Sequence, residues 1–92
     1  MLEGKKIGFI GGGNMAEAII KGLLAGGVQA ESVVVSEPLP LRRDFLSSEY
    51  AAEVSDDNLD VARQADIIVL AIKPQMAGSV LASLEPAISS DK

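Results

Sequence analysis

Gly11, Gly13 and Ala16 fill the three small positions of a G-x-G-x-x-G/A pattern. The first allows a tight turn, the second lets a pyrophosphate approach the backbone, and the third lets the following helix pack on the preceding strand. The N–H groups that open such a helix have no acceptor within it. With the positive end of the helix dipole, they make a site for a phosphate anion. Three glycines in a row also suit a plain flexible loop, so context must decide. Here the turn follows the apolar run Ile7-Gly8-Phe9-Ile10. It precedes Ala16, Ile19, Ile20, Leu23 and Leu24, which share one helical face at i, i+3, i+4, i+7 and i+8. The stretch therefore reads as buried strand, dinucleotide-binding turn and helix.

Composition limits what else the chain can do. Its 92 residues suffice for one domain, and 48% hydrophobic with 23% charged residues is the balance of a globular chain rather than a disordered one. The net charge of −5 argues against nucleic acid or an anionic membrane as the main partner, so any phosphate must be held by local geometry. Without cysteine or histidine there are no disulfides, no thiolate metal sites and none of the usual zinc ligand sets. The N-terminus lacks a signal-peptide layout, and the longest aliphatic run, residues 67–72, is too short to span a bilayer. A cytoplasmic protein is expected.

The elements that must position the turn follow from the rest of the pattern. Gly26-Gly27 stops the first helix, and the β-branched run at 32–36 predicts a second buried strand. A β-α-β crossover of this length is right-handed, which sets the second strand parallel to the first and beside it. Pro38 and Pro40 end that strand. Leu41, Phe45 and Leu46 then define the apolar side of a second helix, with Arg42, Arg43 and Asp44 on a solvated side. A weaker strand at 52–54 leads to a short helix at 59–64, which Asp56, Asp57 or Asn58 can cap; Asn58 is alternatively a ligand. Residues 66–72 predict a strand covered on both faces. Lys73-Pro74 closes it, and Met76, Val80, Leu81 and Leu84 form the inner face of a last helix ending before Pro86. The alternation predicts an α/β domain: a Rossmann-type open parallel sheet of order 3-2-1-4 with helices on both faces. Its crevice would lie where Gly11 to Gly13, Ser36 with Glu37, and Ala71 to Pro74 converge.

The turn, taken with Ala71-Ile72-Lys73-Pro74-Gln75 at the end of the fourth strand, resembles the pyrroline-5-carboxylate reductase family. The turn alone occurs in many reductases; the pairing is much more selective. The resemblance covers residues 5–84. It implies that residues 1–92 are the N-terminal NAD(P)-binding domain of an enzyme that transfers a hydride from reduced nicotinamide to 1-pyrroline-5-carboxylate, giving L-proline. The family's helical C-terminal domain, which makes the dimer and holds the substrate, lies outside this chain. By resemblance, Ile10, Gly11, Gly12, Gly13, Asn14 and Met15 line the pyrophosphate, and Ser36, Glu37 and Asn58 approach the adenosine half. Ala71, Ile72, Lys73 and Pro74 pass along the nicotinamide. No metal site is expected, and no nucleophile–base pair points to a catalytic residue.

Glu37 departs from the family's preference for NADPH. An acidic side chain about twenty residues past the glycines suits the ribose hydroxyls of NAD and opposes a 2′-phosphate. Ser36 can instead donate to a phosphate, and Arg42 or Arg43 can lie over it as a planar cation. Both NADPH and NADH are therefore expected to bind, the resemblance favouring NADPH. Two other functions fit the turn. One is a β-hydroxyacid dehydrogenase or similar oxidoreductase, which calls for a different sequence after the fourth strand. The other is a free-standing nucleotide-binding module.

Overall fold

The computed structural model describes residues 4–88. Four parallel strands, β1 (Ile7–Ile10), β2 (Val33–Ser36), β3 (Glu53–Ser55) and β4 (Ile67–Leu70), lie in the order β3-β2-β1-β4. Four helices connect and follow them: α1 (Asn14–Ala25), α2 (Pro40–Tyr50), α3 (Asn58–Gln64) and α4 (Pro74–Ile88). This is the predicted fold and strand order. In-phase register, with Ile7 opposite both Val33 and Ile67, brings the carboxyl ends of β1, β2 and β4 to one level.

Side-chain alternation divides the core between the two faces of the sheet. Ile7, Phe9, Val33 and Val35 point to one side, where Ala16 and Ile20 of α1 and Leu46 of α2 cover them. Ile10 and Val34 point to the other, under Val61 and Ala62 of α3 and Leu84 of α4. Gly8 belongs to this second face. A Cβ there would stand 2.8 Å from both the Ala65 Cβ and the Val61 Cγ1, so the missing side chain is what lets α3 lie close on β1.

Local chemistry explains most of the boundaries. α1 ends in a Schellman arrangement, with Gly27 at φ +103° and the N–H groups of Gly27 and Val28 donating to the Leu24 and Leu23 carbonyls. Pro40 sits at the start of α2, where its lost N–H had no partner within the helix. The cap of α3 is Asp57, whose carboxylate accepts from the Leu59 N–H at 2.9 Å, and not Asn58, which is the first helical residue.

Four further predictions need correction. α4 runs through Pro86 to Ile88 rather than ending before it. Within α4, Val80 and Leu84 face the core while Met76 and Leu81 are about half exposed. α2 buries only Leu46 of its predicted apolar side; Leu41 is 84% exposed and Phe45 40%. Finally, β4 is not covered on both faces. It pairs with β1 alone, at the sheet edge among the described residues, and Ile67 is 38% exposed.

Candidate cofactor cleft

A cleft of about 650 Å³ opens at the carboxyl ends of β1, β2 and β4. Its floor is Gly11, Gly12 and Gly13, with Asn14 and Met15 from the first turn of α1. Glu37, Pro38 and Leu39 form one wall, and Ala71, Ile72, Lys73 and Met76 the other. Backbone bonds carry the sheet ladder past the strands and fix all three ends. The Gly11 N–H donates to the Ser36 carbonyl, the Glu37 N–H to that of Ser55, and the Ala71 N–H to that of Ile10, each at 2.9 Å.

The three glycines have three different surroundings. Gly11 has φ +103°, and a Cβ there would stand 2.5 Å from the Ala71 carbonyl oxygen, so it serves both the turn and the approach of the far wall. Gly12 is buried against its own protein: a Cβ would meet Leu46 Cδ1 at 2.8 Å and Glu37 Cβ at 3.1 Å. Gly13 has no atom within 4 Å of where a Cβ would be, yet it lines the cleft. Gly13 is also the N-cap of α1, so the helix's first unpaired N–H groups lie at the cleft floor.

The polar groups around the turn form two connected sets. Glu37, 7% exposed, accepts from the Gly12 N–H at 2.9 Å with one carboxylate oxygen and from the Leu39 N–H at 3.0 Å with the other. Arg43 Nη1 donates to the Glu37 and Pro38 carbonyls at 2.7 and 3.1 Å. Arg42 donates through Nε to the Gly12 carbonyl and through Nη2 to Glu17 at 2.8 Å, and its guanidinium lies 5.0 Å over the Phe45 ring. Tyr50 completes this second set by donating its hydroxyl to Glu17. That bond, then the Arg42 bond, hold the Glu17 carboxyl below its usual range; the same Tyr50–Glu17 bond pushes the phenol up to about 12.

Of the residues singled out from sequence, Gly11, Gly12, Gly13, Asn14, Met15, Glu37, Ala71, Ile72 and Lys73 come together on the cleft. Ile10, Ser36, Arg42, Asn58 and Pro74 are not on its lining. Ile10 is core, and the buried Ser36 hydroxyl donates to the Asn58 side chain behind the strand end. Neither arginine has the solvated setting read from the α2 pattern: α2 packs beside the turn and gives Arg42 the Gly12 carbonyl, and Arg43 folds back on the Glu37 and Pro38 carbonyls just before α2. Sequence reasoning missed Pro38, Leu39 and Met76. The available signals were an apolar residue between two prolines at a strand end, and a methionine in the first turn after one. Among the described residues there is no cluster able to hold a metal ion, and no helix long and apolar enough to cross a membrane.

Comparison with known proteins places this geometry. The profile of the family described as NADP oxidoreductase coenzyme F420-dependent matches residues 6–92. The pyrroline-5-carboxylate reductase of Vibrio alginolyticus is 40% identical over 84 residues, 91% of this chain and 31% of that protein. The structure of a pyrroline-5-carboxylate reductase from Coxiella burnetii aligns with a TM-score of 0.89 at 35% identity, covering 94% of this chain and 32% of that one. The Plasmodium falciparum pyrroline carboxylate reductase, solved with NADP bound, aligns at 0.80 and 32% identity, over 97% of this chain and 32% of its own. The chain thus spans about a third of the length of the relatives it matches.

Proposed function

The chain belongs to the NADP oxidoreductase coenzyme F420-dependent family, and from that premise we propose that it is the cofactor domain of a pyrroline-5-carboxylate reductase that uses NADPH and also accepts NADH. The observation that carries this reading is the cleft itself: a glycine floor at the N-terminus of α1, open at Gly13 and aligned with the ends of three parallel strands.

In this reading the pyrophosphate lies along Gly11, Gly13, Asn14 and Met15. The adenosine lies by Glu37, with Pro38 and Leu39 as apolar surface for the base. The nicotinamide lies by Ala71, Ile72, Lys73 and Met76. Both Glu37 oxygens are engaged by backbone N–H groups, which offsets part of the repulsion a 2′-phosphate would meet. Arg43, fixed over the Glu37 and Pro38 carbonyls, is the cation set beside that position. The bound cofactor supplies the hydride that reduces the C=N carbon of 1-pyrroline-5-carboxylate to give L-proline. The residues of this chain bind and orient the cofactor, and none is assigned as catalytic. A further helical domain would hold the substrate and join subunits into a homo-oligomer, in the cytoplasm.

Calorimetric titration of NADPH and NADH, into the protein and into Gly13→Val, tests the reading. A Cβ at Gly13 meets no protein atom, so the variant should fold and lose the dinucleotide. Equal affinity before and after the change would overturn the assignment. A protein ending at Lys92 should bind NADPH without oxidising it when pyrroline-5-carboxylate is added, because the substrate is not held against the ring.

A further inference from the structure

We infer that Arg42 is a positioning residue for the pyrophosphate turn and not a ligand for the 2′-phosphate. The inference rests on the dinucleotide reading of the cleft and assigns a role within it.

The peptide groups on either side of Gly12 are both held by side chains. Its N–H is taken by the Glu37 carboxylate and its carbonyl by the Arg42 Nε, while Leu46 and Glu37 fill the space where a side chain would be. In a trans peptide the carbonyl of one residue and the N–H of the next point in opposite directions, and this chain has no cis bonds among the described residues. By holding the Gly12 carbonyl, Arg42 therefore turns the Gly13 N–H away from itself, and Arg42 is not on the cleft lining whereas Gly13 is. The guanidinium thus sets the direction of one of the donors that a pyrophosphate would use.

Arg42 is also committed elsewhere. Its charge is paired with Glu17 at 2.8 Å, and both side chains are more than three-quarters buried. Glu17 is in turn held by Tyr50, and the Phe45 ring lies under the guanidinium. Reaching a 2′-phosphate would require Arg42 to leave a carbonyl, a carboxylate and a ring together. Arg43 need not move from its two carbonyls to present its remaining N–H groups.

The test is a titration of NADPH and NADH into the full-length gene product and into its Arg42→Ala, Arg42→Lys and Glu17→Gln variants, with melting temperatures recorded alongside. Arg42→Ala should weaken both nucleotides about tenfold and leave the NADPH-to-NADH ratio within about twofold. Arg42→Lys, which can reach only one of the two acceptors, should recover part of that loss for both. Glu17→Gln, which frees the guanidinium without removing it, should weaken both by less. If Arg42→Ala does not fold, the other two variants carry the same comparison. A loss confined to NADPH would show that the guanidinium meets the 2′-phosphate, and unchanged affinities in folded variants would show that the turn holds without it. Either overturns the inference. Failure of the unsubstituted protein to bind either nucleotide would overturn the reading of the cleft, a different outcome from both.

Discussion

The two walls of the cleft are made in different ways. On the β2 side, Glu37, Arg42 and Arg43 reach buried or half-buried backbone groups, and all four residues of β2 are buried. On the β4 side the wall is tied by main-chain bonds, from the Ala71 N–H to the Ile10 carbonyl and from the Met76 N–H to that of Lys73. No residue of β4 is buried, although its sequence, Ile-Ile-Val-Leu, is as apolar as that of β2. An apolar strand reports the cover it needs, and among the described residues β4 has only part of that cover. The first wall is a finished piece of structure; the second has apolar surface to spare.

Gly11 is where the two walls meet, so its substitution should have the largest effect. In Gly11→Ala the new Cβ would stand 2.5 Å from the Ala71 oxygen at a backbone φ of +103°. Strained backbone of this kind costs about 1–3 kcal/mol before any clash. A total loss of about 2–5 kcal/mol is expected, read by denaturant unfolding and as a fall in melting temperature of at least about 10 °C. A variant as stable as the parent would mean that the walls are not in contact through this residue.

That glycine was legible in the sequence because half of the demand on it is local: a tight turn between a strand and a helix calls for a positive φ at that place, and the close approach of Ala71 only adds to it. Strand order was legible too, since handedness and the short connections leave few alternatives. What escaped depends on how the elements sit against one another and on how the chain runs between them. Arg42 and Arg43 look like a solvated face until α2 is laid beside the turn, which gives Arg42 the Gly12 carbonyl, and until the chain entering α2 is bent so that its Glu37 and Pro38 carbonyls meet Arg43. Asn58 could not be told from Asp57 as the cap because both carry a suitable oxygen; in the structure Asp57 caps the helix and the Asn58 oxygen accepts from Ser36 across the strand end. The half-covered state of β4 is invisible to composition, which is the same for a strand that is covered and one that waits to be.

Glu37→Ala tests the finished wall directly. Removing the carboxylate leaves the N–H groups of Gly12 and Leu39 without their acceptor, and hydrogen bonds to a charged group are each worth about 1.5–3 kcal/mol. With water replacing part of the loss, about 2–3 kcal/mol of destabilisation is expected by urea unfolding. A change below about 0.5 kcal/mol would place the β2 wall in the same class as its partner.

The Tyr50–Glu17 bond makes the same wall sensitive to pH at both extremes. Tyr50 has its pKa raised to about 12 from an ordinary 10, by the bond it donates to Glu17. Its contribution is therefore full below pH 10 and lost as the pH rises from 10 towards 12. Glu17 has its pKa lowered, first by Tyr50 and then by Arg42, so its contribution is full above the ordinary value of 4.5 and lost as the pH falls through the lowered one. Melting temperature followed against pH should show Tyr50→Phe losing less stability than the parent across the alkaline interval. Parallel curves for the two proteins would mean that the phenol is not held by the carboxylate in solution.

Lys73 gives the smallest expected effect and the sharpest contrast with Arg42. Its side chain is exposed on the β4 wall, so Lys73→Met should change stability by no more than about 0.5 kcal/mol. Its charge can still act on a bound dinucleotide through solvent, where a pair of charges a few ångströms apart is worth about 1 kcal/mol, a few-fold in affinity. Salt screens such an exposed attraction, with a Debye length of about 10 Å at 0.1 M. The affinity lost in Lys73→Met should therefore shrink as salt is added, whereas the loss in Arg42→Ala, which comes from the direction of a peptide group, should not. Titrating NADH into both variants at low and high salt separates the two. If the Lys73→Met deficit proved independent of salt, the lysine would be acting through a fixed contact, and the β4 wall would be built as tightly as its partner.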